Sequence, residues 1–180
     1  HKSEVELGIK TTGGPAPIAD PDLVEKAAKM LGHANQPMIF VGGGAYDACE
    51  EVKILAETLQ APVVSYQNGR GVLDERHYLA HTNTAGAILW DKCDVAISIG
   101  CRLQAERMTW GMDNTIKIIH IDIDPTEITR VMKPDVGIVA DASSATKQII
   151  NSLTKYNNKR ASREEEMLNL KGQANKLMEK

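Results

Sequence analysis

The stretch of sequence that decides the fold is Ile116-Lys117-Ile118-Ile119-His120-Ile121-Asp122-Ile123, which ends at Asp124-Pro125. Its isoleucine-rich run is typical of a strand buried on both faces of a parallel sheet. Similar runs at 37–41, 61–66 and 94–99 precede it, and a shorter one at 137–140 follows it. The sequence therefore predicts five strands and leaves room for a sixth.

The segments between these runs carry apolar residues at the spacing of one helix face. Helices are predicted at 21–31, 46–60, 83–92, 125–132 and 143–155. The charged final segment is expected to be an amphipathic helix that needs a surface to pack on, which an excised domain would lack. Its apolar face consists of Met167, Leu170, Ala174 and Leu177. Strands that alternate with helices predict an α/β fold with a parallel sheet.

The length and composition set the domain organisation. With 180 residues, 42% of them hydrophobic, the chain is long enough for one domain with one core. We place this domain at 20–156, between an irregular leader at 1–19 and an amphipathic linker helix at 157–180. The chain starts with His1 and has no signal-peptide pattern, so we expect an excised piece of a longer protein.

Charge and cysteine content exclude several classes of protein. Lys and Arg number 21 against 24 Asp and Glu, so no basic excess favours nucleic acid as a partner. No apolar run approaches the roughly 18 residues of a membrane span. Cys49, Cys93 and Cys101 form no CxxC pair, which argues against a disulfide framework and a zinc site. We expect a cytoplasmic protein with reduced thiols.

Glycines and arginines follow two of the predicted strands. The triplet Gly42-Gly43-Gly44 lies between a strand and a helix, where glycine lets the backbone approach a ligand and a helix N-terminus favours a phosphate. A tight strand-to-helix turn would explain the same triplet. Gly100 and Arg102 follow the strand at 94–99, where open α/β sheets bind ligands, and Arg107 lies a few residues further on. A solvated arginine is the alternative.

Acidic residues follow the last two predicted strands. Asp122 can accept hydrogen bonds from a ribose, whereas Asp124 before Pro125 is better explained as a helix cap. Asp141 is either a further ligand contact or the cap of the helix at 143–155. His120 is expected to be structural, because no nucleophile or zinc-ligand pattern accompanies it. These motifs favour a nucleotide-binding module over a catalytic site.

Three stretches together resemble the central domain of thiamine diphosphate-dependent enzymes of the acetolactate synthase group. They are 37–44 with the Leu55-Ala56-Glu57 of the next helix, Ala61-Pro62-Val63 leading into Asn68-Gly69-Arg70-Gly71, and Asp94 to Arg102 followed by Lys117 to Pro125. The resemblance covers 20–155. It implies a six-stranded, Rossmann-like parallel sheet with helices on both faces.

The resemblance also implies a ligand for this domain. Some members hold FAD there, which takes no redox part in the main reaction, and others hold ADP or no nucleotide. The contacts carried over by motif are Gly42, Gly43, Gly44, Tyr66, Gln67, Asn68, His81, Gly100, Arg102, Arg107, Asp122, Ile123, Asp141 and Ala142. Arg107 matches the family arginine only with one residue inserted, since Leu103-Gln104-Ala105-Glu106 replaces Phe-Asp-Asp.

The resemblance implies a parent enzyme that decarboxylates a 2-oxo acid such as pyruvate and joins the carbanion to a second carbonyl, as in branched-chain amino acid biosynthesis. Thiamine diphosphate and Mg²⁺ would be bound by flanking domains, whose Gly-Asp-Gly signature does not occur here. We therefore expect this domain to be inactive alone, to contact those flanking domains and to form homo-oligomers.

Three other interpretations stay open at this point. The parent enzyme could resemble oxalyl-CoA decarboxylase or sulfoacetaldehyde acetyltransferase, whose members share the Gly-x-Arg-Leu sequence seen at 100–103. The chain could instead be a stand-alone flavin-binding module of the electron-transfer flavoprotein type. It could also be a scaffold whose pocket is empty, with glycines and aspartates serving only as turns and caps.

Overall fold

The sheet occupies the centre of the molecule in a computed structural model that describes residues 14–111 and 115–178. Its six strands are β1 (Pro37–Val41), β2 (Val63–Ser65), β3 (Ala80–His81), β4 (Val95–Ile99), β5 (Lys117–Asp122) and β6 (Val136–Val139). They pair in the order β3-β2-β1-β4-β5-β6, and every pairing is parallel. The α/β fold with a parallel sheet is therefore confirmed.

Helices cover the sheet. They are α1 (Pro21–His33), α2 (Cys49–Leu59), α3 (Asn83–Trp90), α4 (Ala142–Leu153) and α5 (Glu164–Met178). From β1 the chain moves along the sheet towards β2 and β3, and from β3 it crosses back to β4 on the other side of β1. Connections between parallel strands are right-handed, so the helices of these two opposite crossings, α2 and α3, lie on opposite faces of the sheet. In agreement with this, α4 packs against α1 and α2, whereas α3 packs against α5.

The predicted strands agree with the observed ones to within two residues at each end. The apolar runs predict these strands well because β1 and β4 are buried at every residue, and a strand buried on both faces needs an uninterrupted apolar run. The sixth strand, Ala80–His81, went unrecognised because two residues are too short for any periodicity. It lies at the edge of the sheet, paired with β2 alone.

The predicted helix at 125–132 is wrong, since residues 125–130 form successive turns. The Asp124 side chain accepts hydrogen bonds from the backbone N and the hydroxyl of Thr126, at 2.8 and 2.7 Å. Such local bonds compete with helix formation, and the β-branched residues nearby add little helix propensity. The predicted helix at 46–60 also begins later, at Cys49, because residues 43–48 form 3₁₀ turns.

The C-terminal helix α5 finds its surface within the domain. Met167, Leu170 and Ala174 are buried, while Leu177 is exposed. Lys171 Nζ donates to the backbone oxygens of Glu75 and His77, at 2.8 and 2.6 Å. The amphipathic face thus packs against α3 and the loop before β3, and the helix starts at Glu164 rather than at 157.

The remaining limits of the domain stay predictions. Residues 14–19 of the leader have no regular structure, and residues 1–13 lie outside the described part of the chain. Within the described residues, no helix is long and apolar enough to cross a membrane.

Candidate functional site: a cleft at the switch point

A cleft opens where the strand order reverses, between β1 and β4. The chain leaves β1 towards β2 on one side, while β4 leads to β5 on the other. The carboxyl ends of β1 and β4 therefore part at this point, which is where open α/β sheets bind ligands. The cavity measures about 540 Å³, within the range of small-molecule sites.

Two turns meet closely at the floor of this cleft. The N–H of Gly44 donates to the oxygen of Gly100 at 3.3 Å. A Cβ added at Gly42 would lie 2.4 Å from that same oxygen, and one added at Gly44 would lie 2.8 Å from the Gly100 Cα. Gly100 itself has a φ of +58°. Packing between the turns therefore requires glycine at all three positions.

Gly43 is different from its two neighbours. A Cβ built there would meet only Asn68, at an ordinary 3.5 Å, and its φ is not in the left-handed region. Gly43 and Asn68 both line the cleft. The tight turn thus accounts for two glycines of the triplet, and the third leaves the backbone open towards a ligand.

One wall of the cleft is the loop after β2, which contains Tyr66, Gln67 and Asn68. The Tyr66 hydroxyl donates to Glu106 Oε2, and the other oxygen of Glu106 has no hydrogen-bond partner among the described groups. Burial raises the pKa of the Glu106 carboxyl. Burial and the nearby Glu106 charge also raise the pKa of the Tyr66 phenol far above its usual range. The hydrogen bond between the half-buried Tyr66 and the buried Glu106 fixes this wall to the segment after β4.

The opposite end of the cleft is acidic. Asp122, Asp124 and Glu127 line it together with Arg102. Arg102 donates from Nε and Nη2 to the two oxygens of Glu127, and the second of these distances is 3.0 Å. Arg130 Nη1 donates to the same carboxylate at 2.6 Å. Arg102 is therefore one half of a bidentate ion pair, although about half of its side chain stays exposed to solvent.

A smaller hollow of about 180 Å³ continues on the far side of the glycine turns. Ile123, Asp141 and Ala142 line it, as the resemblance implies for ligand contacts. Asp141 also caps α4, since its Oδ1 accepts from Ser144 N at 2.8 Å. The capping role of Asp141 is thus present in the structure, and its contact with a ligand stays a prediction.

Two residues named by the resemblance lie outside both spaces. Arg107 is exposed on the π-helical turn Glu106–Trp110. His81 lines a separate cavity of about 480 Å³ between the end of β3, the start of α3 and helix α5. Neither ring nitrogen of His81 has a hydrogen-bond partner in the described part of the chain. Burial and the Lys171 charge lower the pKa of His81 to about 4, so its ring is neutral at neutral pH. Gln67 borders both this cavity and the cleft.

The histidine and cysteine nearest the cleft fit structural roles. His120 is buried, its Nδ1 lies 3.3 Å from the oxygen of Ile128, and burial lowers its pKa. Cys101 lines the cleft, but burial raises the pKa of its thiol to about 12, which leaves it protonated and unreactive. The Cys101 thiol is therefore a poor candidate for a nucleophile at neutral pH. Among residues 14–111 and 115–178, no cluster of His, Cys, Asp and Glu could hold a metal ion.

Sequence reasoning missed two residues that shape the cleft, Glu106 and Glu127. Both are charged residues in polar runs, where a solvated side chain is the usual outcome. Glu106 is fully buried, and Glu127 is 8% exposed. Their partners stand 40 and 25 positions away in the chain, so no local pattern could have identified them.

Strand order and cleft together define a doubly wound, Rossmann-like α/β domain with a cleft at its switch point. More particularly, the chain belongs to the family described as the central domain of thiamine pyrophosphate enzymes, whose sequence profile matches residues 24–149.

Similar proteins agree with this membership. The chain is 36% identical over 170 residues to a probable acetolactate synthase large subunit of Methanococcus aeolicus, and this alignment covers 88% of this chain and 28% of that protein. It is 36% identical over 150 residues to the corresponding probable subunit of Methanocaldococcus jannaschii, covering 77% of this chain and 25% of that protein. The acetolactate synthase large subunit of Corynebacterium glutamicum is 33% identical over 152 residues, and this alignment covers 77% of this chain and 24% of that protein. The chain thus spans about a quarter of the length of these relatives.

Proposed function

We propose that the chain is the central domain of a thiamine diphosphate-dependent enzyme of the acetolactate synthase type. The observation that carries this proposal is the similarity to acetolactate synthase large subunits, which extends across nearly the whole domain. In this proposal thiamine diphosphate and Mg²⁺ bind to the flanking parts of the parent enzyme. This domain then contributes structure, contacts with those flanking domains and packing between subunits in the cytoplasm, and it does not catalyse the reaction alone.

The domain's own ligand is proposed to be an adenine nucleotide, either FAD or ADP, bound in the switch-point cleft. The open backbone at Gly43 supports this, because a phosphate chain needs close approach to the main chain. The acidic end supports it as well, since carboxylates such as Asp122 accept hydrogen bonds from ribose hydroxyls. The volume of about 540 Å³ is adequate for a nucleotide.

The choice between FAD and ADP depends on the second cavity. His81 lines that cavity, and its two ring nitrogens have no hydrogen-bond partner among the described residues. Gln67 lines both this cavity and the cleft. A ligand as long as FAD could extend past Gln67 and reach His81, whereas ADP would stay within the cleft. FAD binding would therefore favour the acetolactate synthase branch, and ADP binding alone would favour the acyl-CoA decarboxylase branch.

Calorimetric titration of the chain with FAD and with ADP tests the nucleotide proposal. Gly43→Ala should weaken binding about 10- to 100-fold, because overpacking a close contact costs about 1–3 kcal/mol. Gly172→Ala is the matched control, since Gly172 lies on α5 with no atom near its would-be Cβ. If neither nucleotide binds a chain that is folded by circular dichroism, the nucleotide role is refuted and the scaffold interpretation is favoured.

The parent activity needs a separate test. A longer polypeptide that contains this chain, supplied with thiamine diphosphate and Mg²⁺, should release carbon dioxide from pyruvate or another 2-oxo acid. Absence of decarboxylation and carboligation with all common 2-oxo acids would refute the acetolactate synthase type. A stand-alone flavin module would show no such dependence on flanking sequence, and membership of the thiamine enzyme family argues against it.

A further inference from the structure

The guanidinium of Arg102 is the one cation among the described residues that line the cleft, and Glu127 already engages it. Two of its nitrogens donate to the two oxygens of the Glu127 carboxylate. Arg130 Nη1 also donates to one of these oxygens, Oε1, at 2.6 Å. The side chain of Glu127 is 10% exposed, against 51% for Arg102. The acid is therefore the fixed member of this pair.

The surroundings of the pair carry an excess of negative charge. Asp122 and Asp124 line the same end of the cleft as Glu127. Hydrogen bonds from Arg102, opposed by burial, lower the pKa of Glu127, and those from Thr126 lower the pKa of Asp124. Both acids are thus ionised at neutral pH. Three acidic side chains stand against the two guanidiniums of Arg102 and Arg130, and both guanidiniums already donate to Glu127.

We propose that Glu127 determines the ligand specificity of the cleft: it occupies Arg102, so that this end accepts a nucleotide with free ribose hydroxyls and rejects one with a phosphate on the ribose. This inference rests on the proposed binding of an adenine nucleotide. In dinucleotide-binding folds an acid at this edge receives ribose hydroxyls, while an available arginine accommodates a ribose phosphate. Glu127 keeps Arg102 from that second role.

An isomeric pair of ligands isolates the effect. ADP and adenosine 2′,5′-bisphosphate have the same atoms and the same number of phosphates, and they differ only in whether the second phosphate is on the 5′ chain or on the ribose. At neutral pH the bisphosphate carries about one more negative charge than ADP, because each of its two phosphate monoesters loses a second proton near pH 6. This difference and the missing β-phosphate contribute to the ratio of dissociation constants in any variant. The change of that ratio between wild type and Glu127→Gln therefore reports the effect of Glu127 at the ribose end of the cleft.

The experiment is calorimetric titration of both isomers into the wild-type chain and into Glu127→Gln. Wild type should prefer ADP by about tenfold or more, and the variant should lose most of that preference, because one carboxylate charge has gone and Arg102 is released. Glu165→Gln, an exposed acid on α5, is the control and should keep the preference. A merely structural role for Glu127 would weaken both isomers equally and leave the ratio unchanged.

The outcomes separate this inference from the proposed function. If neither isomer binds to the folded wild-type chain, the nucleotide proposal fails and this inference with it. If ADP binds and wild type does not discriminate between the isomers, the specificity inference alone is overturned. That comparison needs no variant, so it decides the matter even if Glu127→Gln does not fold. If wild type discriminates and Glu127→Gln keeps the full ratio, Glu127 is not the residue responsible.

Discussion

Replacing Gly100 by alanine should strongly destabilise the domain, because the floor of the cleft has no room for a side chain. Gly100 has a φ of +58°, a conformation that costs an L-residue about 1–2 kcal/mol. Its Cβ would lie 2.5 Å from both the Cα and the carbonyl carbon of Gly44. Relief requires the turn after β1 to move, and overpacking of this kind costs about 1–3 kcal/mol. The sum is a loss of about 2–5 kcal/mol.

Urea unfolding measures this loss. Trp90 and Trp110 pack against Phe40 on β1, so their fluorescence reports on the core beside the cleft. The midpoint should fall by about 1–2 M for Gly100→Ala, with little change in the slope. Gly43→Ala is the matched control, since its Cβ meets only Asn68 at 3.5 Å. The control should unfold at or slightly above the wild-type midpoint, because alanine restricts the unfolded chain.

Equal midpoints for Gly100→Ala and wild type would refute the reasoning, since the close approach of the two turns would then not exist. A large loss for Gly43→Ala would refute it equally, because that glycine would then be required by packing. Either result would also remove the structural basis for treating Gly43 as the position open to a ligand.

Three further predictions concern side chains around the cleft. Burial raises the pKa of Glu106, so the stability that this carboxyl contributes is complete at acidic pH and is lost as the pH rises through the raised pKa. The free energy of unfolding of Glu106→Gln should therefore increase relative to that of wild type between acidic and neutral pH. A difference between the two proteins that does not vary with pH would contradict this. Asp141→Ala should lower the free energy of unfolding by about 1 kcal/mol, because the variant loses the cap of α4. Asp141→Ser should retain most of the wild-type stability, because serine can also cap a helix. Equal melting temperatures of the two variants would argue against the cap. At neutral pH an aromatic disulfide reagent should modify Cys49 and spare Cys93 and Cys101, whose pKa values burial raises to about 12; modification of all three thiols before unfolding would show that the core is open.

Residues that directly follow apolar runs could be predicted from the sequence, whereas contacts between polar side chains could not. Asp122 and the glycine triplet were identified because each directly follows an apolar run, and the carboxyl ends of parallel strands share one edge of the sheet. The prediction of a helix at 125–132 was wrong because the Asp124 side chain accepts hydrogen bonds from Thr126 and stabilises a turn. The spacing of apolar residues does not reveal such a turn. Whether Arg102, Asp122 and the other named residues contact a ligand stays a prediction.

What the sequence by itself determined is the alternation of strands and helices, because burial on both faces of a central strand demands an unbroken apolar run. Tertiary structure alone decided that β4 lies beside β1, which brings Gly100 against Gly44 and creates the cleft. It also decided that Glu106 meets Tyr66 and that Glu127 meets Arg102. These contacts join residues far apart in the chain, and the physical reason they form is that a buried carboxylate needs a partner wherever the fold provides one.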